Sequence, residues 1–276
     1  MEFWQNLPLK INPVLFQAGS FQIRYYGLMY AAAFLTVYFI LAYRIKRETA
    51  PVFNTVLLEN FLLFEIAGVM AGGRLGYVLF YDLQYYISNP FLIISPFAME
   101  NNKLIFTGIA GMSYHGGLIG ALAAAAVFCR MKKINFWVLS DFVIPAVPAA
   151  YTFGRIGNFL NNELYGRAVS SFPGMYFNTT EGLSLRHPSQ LYEAVFEGIV
   201  LFFILWSVRN NKTMEKLLLG LYIFGYGLFR FFIEFFRQPD AHLGLIGGLF
   251  SMGQILCLIM ITAGFGIMVY QVKYRS

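Results

Sequence analysis

Four polar side chains recur along one apolar segment at a spacing that suits anion binding. They are Tyr226, Arg230, Glu234 and Arg237. Their positions at i, i+4, i+8 and i+11 would confine them to an arc of about 80° on a helix. Glu234 alone could neutralise the arginines as a structural device. Two arginines against one glutamate nevertheless leave a surplus of positive charge, which predicts a site for an anion.

A second polar group closes another apolar segment, GRIGNFLNNELYGR, at residues 154–167. Its polar members are Arg155, Asn158, Asn161, Asn162, Glu163 and Arg167. Helix caps and turns use asparagine and glycine, but they do not require two arginines and a glutamate at membrane level. Because a guanidinium group binds phosphate or carboxylate through two parallel hydrogen bonds, this segment also indicates recognition of an anion.

Two further segments carry groups that could support the arginines. In GMSYHGGLIG, His115 precedes two glycines at the start of an apolar run. Histidine suits proton transfer near neutral pH, although one in this position is also a common helix cap. In RHPSQLYEAVFEG, residues 186–198, a helix would carry Gln190, Glu193 and Glu197 on one face. We predict that these three orient the arginines, although Glu193 could equally stabilise the helix N-terminus.

Membrane helices must position these groups. The 276 residues are 58% hydrophobic, 18% aromatic and only 12% charged, unlike a soluble domain. Repeated apolar runs match the length that crosses a hydrocarbon core about 30 Å thick. We therefore predict an all-α integral membrane protein with about seven transmembrane helices. The predicted spans are 21–43, 57–80, 113–130, 135–154, 191–208, 217–236 and 247–270.

The charge pattern predicts the orientation of these spans. Four basic clusters all fall on one side, which the positive-inside rule makes cytoplasmic. They comprise Arg44, Lys46 and Arg47; Arg130, Lys132 and Lys133; Arg209, Lys212 and Lys216; and Lys273 and Arg275. The N-terminus is then outside and the C-terminus cytoplasmic. We predict one polytopic membrane domain over residues 1–276, with external segments 81–112 and 155–190 forming a small cap.

The helical rise per residue places the unusual polar groups at similar depths. Arg74, Arg155 and Arg230 lie roughly 25, 30 and 20 Å above the cytoplasmic ends of their spans. Tyr26 and His115 fall close to the external ends of theirs. Buried arginines at one depth require an anionic partner or a wet cavity. The pattern therefore predicts an anionic ligand in the outer half of the membrane.

Small residues and prolines predict how some helices pack. Gly68, Gly72 and Gly76, like Gly116 and Gly120, form small-residue faces for close helix contact. Two prolines, Pro145 and Pro148, should kink the fourth span.

Composition also argues against several classes of function. The net charge of +6 follows membrane topology, since no basic run carries interleaved solvent-facing aromatic residues for nucleic acid. Cys129 and Cys257 lie in apolar runs, where a thiol is usually inert, and no metal site is indicated. The opening MEFWQNLPLK lacks the features of a removable signal peptide.

Six motifs in order resemble those of the bacterial prolipoprotein diacylglyceryl transferases, and the resemblance runs through nearly the whole chain. The motifs are RYYGLMY, GGRLGYVLFY, GMSYHGGL, GRIGNFLNNELYGR, RHPSQLYE and YGLFRFFIEFFRQPD. The fourteen-residue motif is similar to the signature of that family. The chain departs from the pattern at Asn162, where glycine is expected, and in a short segment between Gly166 and His187.

This resemblance implies an enzyme that moves the diacylglyceryl group of phosphatidylglycerol to the lipobox cysteine of a preprolipoprotein. The thiol would form a thioether and glycerol 1-phosphate would leave, on the outer (periplasmic) side of the bacterial cytoplasmic membrane. The family implies no metal or organic cofactor. The residues that match functional positions by motif are His115, Arg155, Asn158, Glu163, Tyr226, Arg230 and Glu234, with Tyr26 and Arg74 as pocket members.

A mechanism follows from those residue types. Arg155 and Arg230 would clamp the phosphate, with Arg237 beside them, while Asn158 and Glu163 hold the clamp or bind head-group hydroxyls. His115 is the candidate base for the thiol, and Tyr226 could instead relay that proton or donate to phosphate. An anionic-lipid transporter or a lipid-binding scaffold would use the same arginines. A transporter is disfavoured because no inverted repeat is visible, and a scaffold would not need His115 or Tyr226.

Overall fold

Helices dominate the computed structural model, which describes residues 2–19, 21–48, 53–95, 97–100, 103–106, 111–180, 182–238, 245–246 and 249–274. The helices are α1 (Glu2–Gln5), α2 (Tyr25–Arg47), α3 (Thr55–Tyr81), α4 (Leu83–Ser88), α5 (Tyr114–Lys132), α6 (Phe136–Val143), α7 (Val147–Leu160), α8 (Ser189–Glu193), α9 (Leu201–Val208), α10 (Leu218–Ile233) and α11 (Met252–Lys273). Single 3-10 turns occupy Pro8–Lys10, Pro90–Ile93, Ile144–Ala146 and Lys212–Met214.

Among the described residues, four short antiparallel hairpins accompany the helices. They pair β1 (Val14–Ala18) with β2 (Phe21–Arg24), β3 (Phe97–Glu100) with β4 (Lys103–Phe106), β5 (Met175–Thr179) with β6 (Gly182–Arg186), and β7 (Leu245–Ile246) with β8 (Phe250–Ser251). The prediction of a mainly helical membrane protein is confirmed. The hairpins are additions that hydropathy did not predict.

Five helical stretches of the described chain are long and apolar enough to cross a membrane. They are Tyr25–Arg47, Thr55–Tyr81, Phe136–Leu160, Ser189–Val208 and Met252–Lys273. Many apolar side chains on these helices are exposed, such as Leu63 at 65% and Phe39 at 64%. Hydrocarbon can cover such surfaces, whereas water would not. The chain is therefore a helical membrane protein.

Several predicted span boundaries are wrong, including the start of the seventh, which is at Met252 rather than at 247. The first span begins at Tyr25 rather than at residue 21, because Phe21–Arg24 pairs with β1. The fourth continues to Leu160 rather than to 154, so Arg155 and Asn158 lie on a helix and not in an external loop. The sixth ends at Ile233 rather than at 236, so Glu234 is its C-cap and Arg237 lies beyond the helix.

The prediction of two non-helical external segments is also only partly right. Residues 83–93 of the first segment form α4 and a 3-10 turn. Hydrogen bonds from Arg74 stabilise this turn. The second segment begins with the last helical turns of α7. Parts of the sequence motifs lie outside the described residues, namely Pro239 and Asp240, the start of the predicted seventh span at 247–248, and Arg275.

The chain divides into two compact units, and the single-domain organisation stays a prediction. One unit is Met1–Leu41 with Trp137–Ser276, and the other is Ala42–Phe136. In the second unit, Asn54 caps α3 by accepting a hydrogen bond from Leu57 N at 2.8 Å. Ser113 caps α5 in the same way, accepting from Gly116 N at 3.3 Å.

The predicted glycine faces between α3 and α5 are confirmed. A Cβ at Gly68 would lie 2.7 Å from the Gly120 carbonyl oxygen, and one at Gly76 would lie 2.7 Å from Gly116 Cα. A Cβ at Gly72 would similarly lie 2.7 Å from Gly120 Cα. Only glycine permits such close backbone approach, so these residues set the spacing of the two helices.

Two helices of the first unit depart from regular α geometry. Where Pro145 and Pro148 were predicted to kink the fourth span, Ile144–Ala146 forms a 3-10 turn between α6 and α7. Between α8 and α9, Ala194–Val200 forms a π-helix. Thr152 supports this turn from α7, since its hydroxyl donates to the carbonyl oxygens of Pro148 at 3.1 Å and Ala194 at 3.4 Å. A hydroxyl is a suitable partner for a carbonyl that irregular helix geometry releases.

Two apolar clusters of described residues support this unit. Leu201, Leu205 and Leu218 are fully buried and join α9 to α10. A second cluster, of Phe159, Met175 and Phe177, joins the end of α7 to hairpin β5–β6. These clusters fix both ends of the helices that carry the polar residues of the next section.

Candidate active site

Glu193 lies at the centre of a buried group of arginines. It is the last residue of α8 and is 0% exposed. Its Oε2 lies 2.8 Å from Arg155 Nε of α7, and its Oε1 lies 3.1 Å from an Arg230 Nη1 of α10. Arg237 Nη1 approaches the same Oε1 at 2.6 Å. One carboxylate therefore holds three guanidinium groups from three parts of the chain.

Glu197 lies in the π-helix and is also 0% exposed. The Tyr151 hydroxyl donates a hydrogen bond to Glu197 Oε2. Glu197 Oε1 is 3.9 Å from Arg230 Nη1, which is an ion pair without a hydrogen bond. The Tyr151 hydroxyl also lies 3.5 Å from the Tyr226 hydroxyl. Two phenols and a carboxylate thus form a buried chain beside Arg230.

Glu234 completes the set of buried carboxylates. Its Oε2 lies 3.5 Å from Arg230 Nε and 3.4 Å from Arg237 Nε. Ser251, the N-cap of α11, donates from Oγ to Glu234 Oε1 at 3.2 Å. A Cβ at Gly253 would lie 2.5 Å from the same oxygen, so glycine admits the carboxylate to the helix N-terminus.

The signature segment forms a second layer around Arg155. Arg155 Nη1 donates to Asn158 Oδ1 at 3.3 Å, and Asn158 Nδ2 donates to Glu163 Oε1 at 2.8 Å. Gln190 Nε2 donates to the Glu163 carbonyl oxygen at 2.6 Å. Asn162 has φ of +55°, a left-handed conformation that favours glycine and that asparagine tolerates. This backbone geometry explains why glycine was expected there.

The end of the signature is tied to two other segments. Gly166 N donates to the His187 carbonyl oxygen at 2.8 Å, and Arg167 N donates to the Phe236 carbonyl oxygen at 2.8 Å. A Cβ at Gly166 would lie 2.9 Å from His187 Cβ. Partial burial lowers the pKa of the His187 imidazole. The contacts keep the segment after Glu163 close to the residues that follow α10.

The predicted surplus of positive charge is wrong for the described site. The three guanidinium groups of Arg155, Arg230 and Arg237 face the three carboxylates of Glu193, Glu197 and Glu234. The prediction counted charges along the sixth span alone, whereas two of the balancing glutamates come from the preceding helix. The prediction that Gln190, Glu193 and Glu197 orient the arginines is confirmed for Glu193, which contacts all three, whereas Glu197 only pairs with Arg230 at 3.9 Å and Gln190 contacts the Glu163 carbonyl oxygen.

Tyr26 lies against the same helix as Arg155. A Cβ at Gly157 would approach Tyr26 Cδ2 at 3.2 Å, so the ring packs on this glycine of α7. Its hydroxyl lies 3.1 Å from the Tyr30 hydroxyl. The first unit thus holds eight of the ten predicted site residues, namely Tyr26, Arg155, Asn158, Glu163, Tyr226, Arg230, Glu234 and Arg237.

Arg74 belongs to the second unit and has structural partners there. Its Nε donates to the Ile93 carbonyl oxygen and its Nη2 to the Leu92 carbonyl oxygen, both at 2.7 Å. Its guanidinium carbon lies 5.0 Å over the Tyr86 ring. These contacts bind the segment after α4 to α3. A role for Arg74 in lipid binding stays a prediction.

His115 is an exposed residue in the first turn of α5, also in the second unit. Ser113 is the N-cap of this helix, which begins where the apolar run was predicted to start. Exposure leaves the imidazole reachable by a substrate, and its role as a base stays a prediction.

Sequence reasoning missed two members of the site. Tyr151 stacks its ring against Arg155, whose guanidinium carbon lies 4.7 Å from the ring centroid, and it contacts Glu197 and Tyr226. Its position four residues before Arg155 on one span was a signal that could have found it. Ser251 reaches Glu234 from the start of another helix, and no local pattern indicated that contact.

The arrangement suits recognition of an anion more than covalent catalysis by the protein. The side chains of Arg155 and Arg230 are 14% and 17% exposed, whereas Glu193 and Glu197 are at 0%. A ligand can therefore reach edges of the guanidinium groups while the carboxylates hold them from behind. Fixed guanidinium groups in a dry site stabilise charge that develops on phosphate oxygens.

Comparisons with known proteins agree with this chemistry. A family model described as prolipoprotein diacylglyceryl transferase matches residues 13–270. The chain is 50% identical to a phosphatidylglycerol–prolipoprotein diacylglyceryl transferase of Chlorobaculum tepidum over 99% of this chain and 94% of that protein. Proteins of the same name from Aliarcobacter butzleri and Geobacter sulfurreducens are 43% and 45% identical, over 96% and 92% of this chain and 96% and 93% of those proteins.

Proposed function

The chain belongs to the prolipoprotein diacylglyceryl transferase family, and from that membership we propose what it does and how. It is a transferase that moves the diacylglyceryl group of phosphatidylglycerol to a prolipoprotein. The observation that carries this conclusion is the family match over residues 13–270. In the reaction, the thiol of the lipobox cysteine attacks the carbon of the diacylglyceryl group that bears the phosphate. A carbon–sulfur bond forms, the carbon–oxygen bond breaks, and glycerol 1-phosphate leaves.

We propose that Arg155 and Arg230 clamp the phosphate of the lipid. Both are held by Glu193, which leaves their exposed edges oriented for a ligand. Negative charge grows on the phosphate oxygens as the carbon–oxygen bond breaks, and oriented guanidinium groups stabilise it. Glu234 and Arg237 fix the far side of Arg230 through their mutual contact.

We propose that the head-group glycerol meets the signature segment and α2. Asn158 and Glu163 carry hydrogen-bonding groups next to Arg155, suited to hydroxyl groups. Tyr26 closes this side through its packing on Gly157, and Arg74 is assigned to the pocket by its motif alone.

The thiol proton needs an acceptor, since only a few per cent of a free thiol is ionised at neutral pH. We propose His115 as this base, because its motif match and its exposure suit contact with a substrate. Tyr226 is the alternative, supported by its hydroxyl contact with Tyr151.

We propose seven spans in the bacterial cytoplasmic membrane, with the N-terminus outside, the C-terminus cytoplasmic and the site towards the outer (periplasmic) face. Beyond the five long helices, α5 and the apolar α10 supply two more. The alternating basic clusters support the orientation. The external segments would form a small cap on a single membrane domain.

The test incubates the purified protein with phosphatidylglycerol vesicles and a lipobox peptide whose cysteine is intact or changed to serine. We expect a diacylglyceryl mass gain on the cysteine peptide alone, with matching release of glycerol phosphate. Unmodified peptide in a folded, lipid-binding preparation would contradict the proposal. Movement of unmodified lipid between leaflets would then identify a transporter instead.

A further inference from the structure

A charge-balanced buried site gains an uncompensated negative charge when an anionic ligand enters it. Among the ion-paired residues of the described site, the three guanidinium groups of Arg155, Arg230 and Arg237 face three carboxylates. A phosphodiester brings one more negative charge. Because an unpaired charge is far more costly in a buried site than in water, the ligand's arrival favours the loss of one carboxylate charge.

Glu197 is the carboxylate with the weakest compensation. Glu193 has guanidinium nitrogens at 2.6, 2.8 and 3.1 Å, and Glu234 has two at 3.4 and 3.5 Å plus the Ser251 hydroxyl. The nearest guanidinium nitrogen to Glu197 is at 3.9 Å. Each of the three glutamates has one buried oxygen that accepts no hydrogen bond among the described residues, but the unbonded oxygens of Glu193 and Glu234 have a guanidinium nitrogen within 3.5 Å, closer than the one at Glu197 Oε1. Protonation therefore removes the least stabilised charge.

The groups around Glu197 favour a carboxyl that can gain and lose a proton. Glu193 precedes it by four residues on its own helix. Tyr151 and Arg155 face it from α7, Arg230 faces it from α10, and the Cys257 thiol of α11 interacts with it electrostatically. Tyr226 reaches it only through its contact with the Tyr151 hydroxyl. The Tyr151 hydroxyl can donate to the carboxylate or accept from the protonated carboxyl. Both protonation states thus keep a hydrogen bond.

We propose that Glu197 takes up one proton when an anionic lipid head group binds at Arg155 and Arg230. The inference rests on the proposed function, since it takes phosphatidylglycerol as the ligand. The proton comes from solvent, the carboxylate becomes a neutral carboxyl, and the phosphate's charge replaces the one that Glu197 loses. Glu197 is then a positioning residue for the lipid step.

Linkage fixes the sign of the pH dependence. The bound anion favours protonated Glu197, so lipid affinity is highest at low pH and falls once Glu197 is ionised in the free protein. The fall approaches about tenfold per pH unit for a single proton. Glu197→Gln is neutral at every pH. It should retain the high affinity that the unmodified protein shows only at low pH.

The experiment titrates the full chain with phosphatidylglycerol in a calorimeter, without acceptor peptide, in paired buffers of different ionisation enthalpy. We expect an uptake of about one proton per lipid for the unmodified protein where the affinity falls with pH, and about none for Glu197→Gln. Glu65→Gln is the matched control, because Glu65 is another glutamate with a buried, unbonded oxygen but lies in the other unit. The Glu65→Gln variant should take up the same number of protons per lipid as the unmodified protein.

Absence of proton uptake across a pH titration of the unmodified protein would overturn the inference, as would undiminished uptake by Glu197→Gln. Tyr151→Phe supplies a second test if that variant does not fold. It removes the donor to the ionised carboxylate, so the affinity should fall at higher pH than in the unmodified protein. An unchanged pH range would overturn the assignment to Glu197.

The two proposals fail separately. A protein that modifies the lipobox peptide but takes up no proton refutes only the inference about Glu197. A folded protein that binds no phosphatidylglycerol at any pH refutes the proposed function as well.

Discussion

Arg230 has the most acidic surroundings of the predicted phosphate ligands, since it contacts Glu193, Glu197 and Glu234. We expect Arg230→Ala to lower kcat/KM by roughly 100-fold or more, because a charge-stabilising group is lost and three carboxylates lose a partner. Lipid binding should weaken as well. Transfer kinetics and a phosphatidylglycerol titration measure the two effects.

Arg24→Ala is a matched control for the charge change. Arg24 is an exposed arginine whose guanidinium bonds the Gln22 side chain on the same strand. The Arg24→Ala substitution should leave kcat/KM and the affinity for phosphatidylglycerol unchanged within about twofold. Equal losses in the two variants would show that net charge, rather than the clamp, matters.

Substitution of His115 should affect turnover without affecting lipid binding. If it is the base, His115→Ala lowers kcat by roughly 100-fold while lipid affinity stays near that of the unmodified protein, because the residue acts on the thiol. Single-turnover transfer and lipid titration of one preparation supply both numbers. Full transfer activity in this variant would end the assignment and favour Tyr226.

At the residue scale, the sequence correctly predicted acidic partners of Arg230 but did not correctly predict the net charge of the site. The four-residue spacing of Glu193 and Glu197 predicted one acidic face, and both meet the arginines. Net charge depends on which helices become neighbours, and one span cannot reveal that. The same limit concealed Ser251, whose contact with Glu234 joins two helices.

At the element scale, the close approach of α3 and α5 gives a stability prediction. A Cβ at Gly120 would overlap the Gly68 carbonyl oxygen and lie 2.9 Å from Gly72 Cα. Gly120→Ala should therefore destabilise the protein by about 1–3 kcal/mol, since both backbones must move apart. Thermal unfolding in detergent measures the change.

Gly266→Ala is the control for that substitution. Gly266 lies within α11, and a Cβ there would meet nothing within 4 Å. Alanine should be neutral or mildly stabilising at this position. Equal destabilisation at both glycines would contradict a role for Gly120 in helix contact.

Helices were predictable as elements, but their ends were not. Hydropathy placed α3 within two residues of its ends, because an apolar run and the Asn54 cap coincide there. It overlooked the pairing of Phe21–Arg24 with β1, since a short apolar strand and the start of a span look alike. Hydropathy also ended the fourth span too early, because the charged Arg155 was taken as its end. In the structure Glu193 neutralises Arg155, so the helix continues past it.

At the scale of the whole molecule, the alternation of basic clusters predicts which loops share a side. Single cysteines placed at Lys132 and Lys212 should react with a membrane-impermeant thiol reagent only after the cells are opened. A cysteine at Leu183, in hairpin β5–β6, should react in intact cells. Reaction of Lys132 and Leu183 cysteines from the same side would contradict the seven-span arrangement.

The order of motifs carried more of the whole-molecule prediction than hydropathy did. Apolar runs indicate a membrane protein, but they fit a transporter as well as an enzyme. The segments around Arg155, His187 and Arg230 are far apart in sequence, and the structure joins the first and last through Glu193. Their common order in a family identified a reaction that no single helix could indicate.

Because of the π-helix at Ala194–Val200, the number of residues in this span determines which way its two ends face relative to each other. Such a turn accommodates one residue beyond the α-helical count. Before it, Glu193 faces the arginines, and after it Leu201 and Leu205 face the core. Deleting the exposed Val195 would therefore return the turn to an α-helix with both ends still in phase. Inserting one alanine after Leu201, in the regular helix α9, would instead rotate one end by about 100° against the other. Transfer activity or thermal stability should then fall, because the two ends could no longer face their partners together.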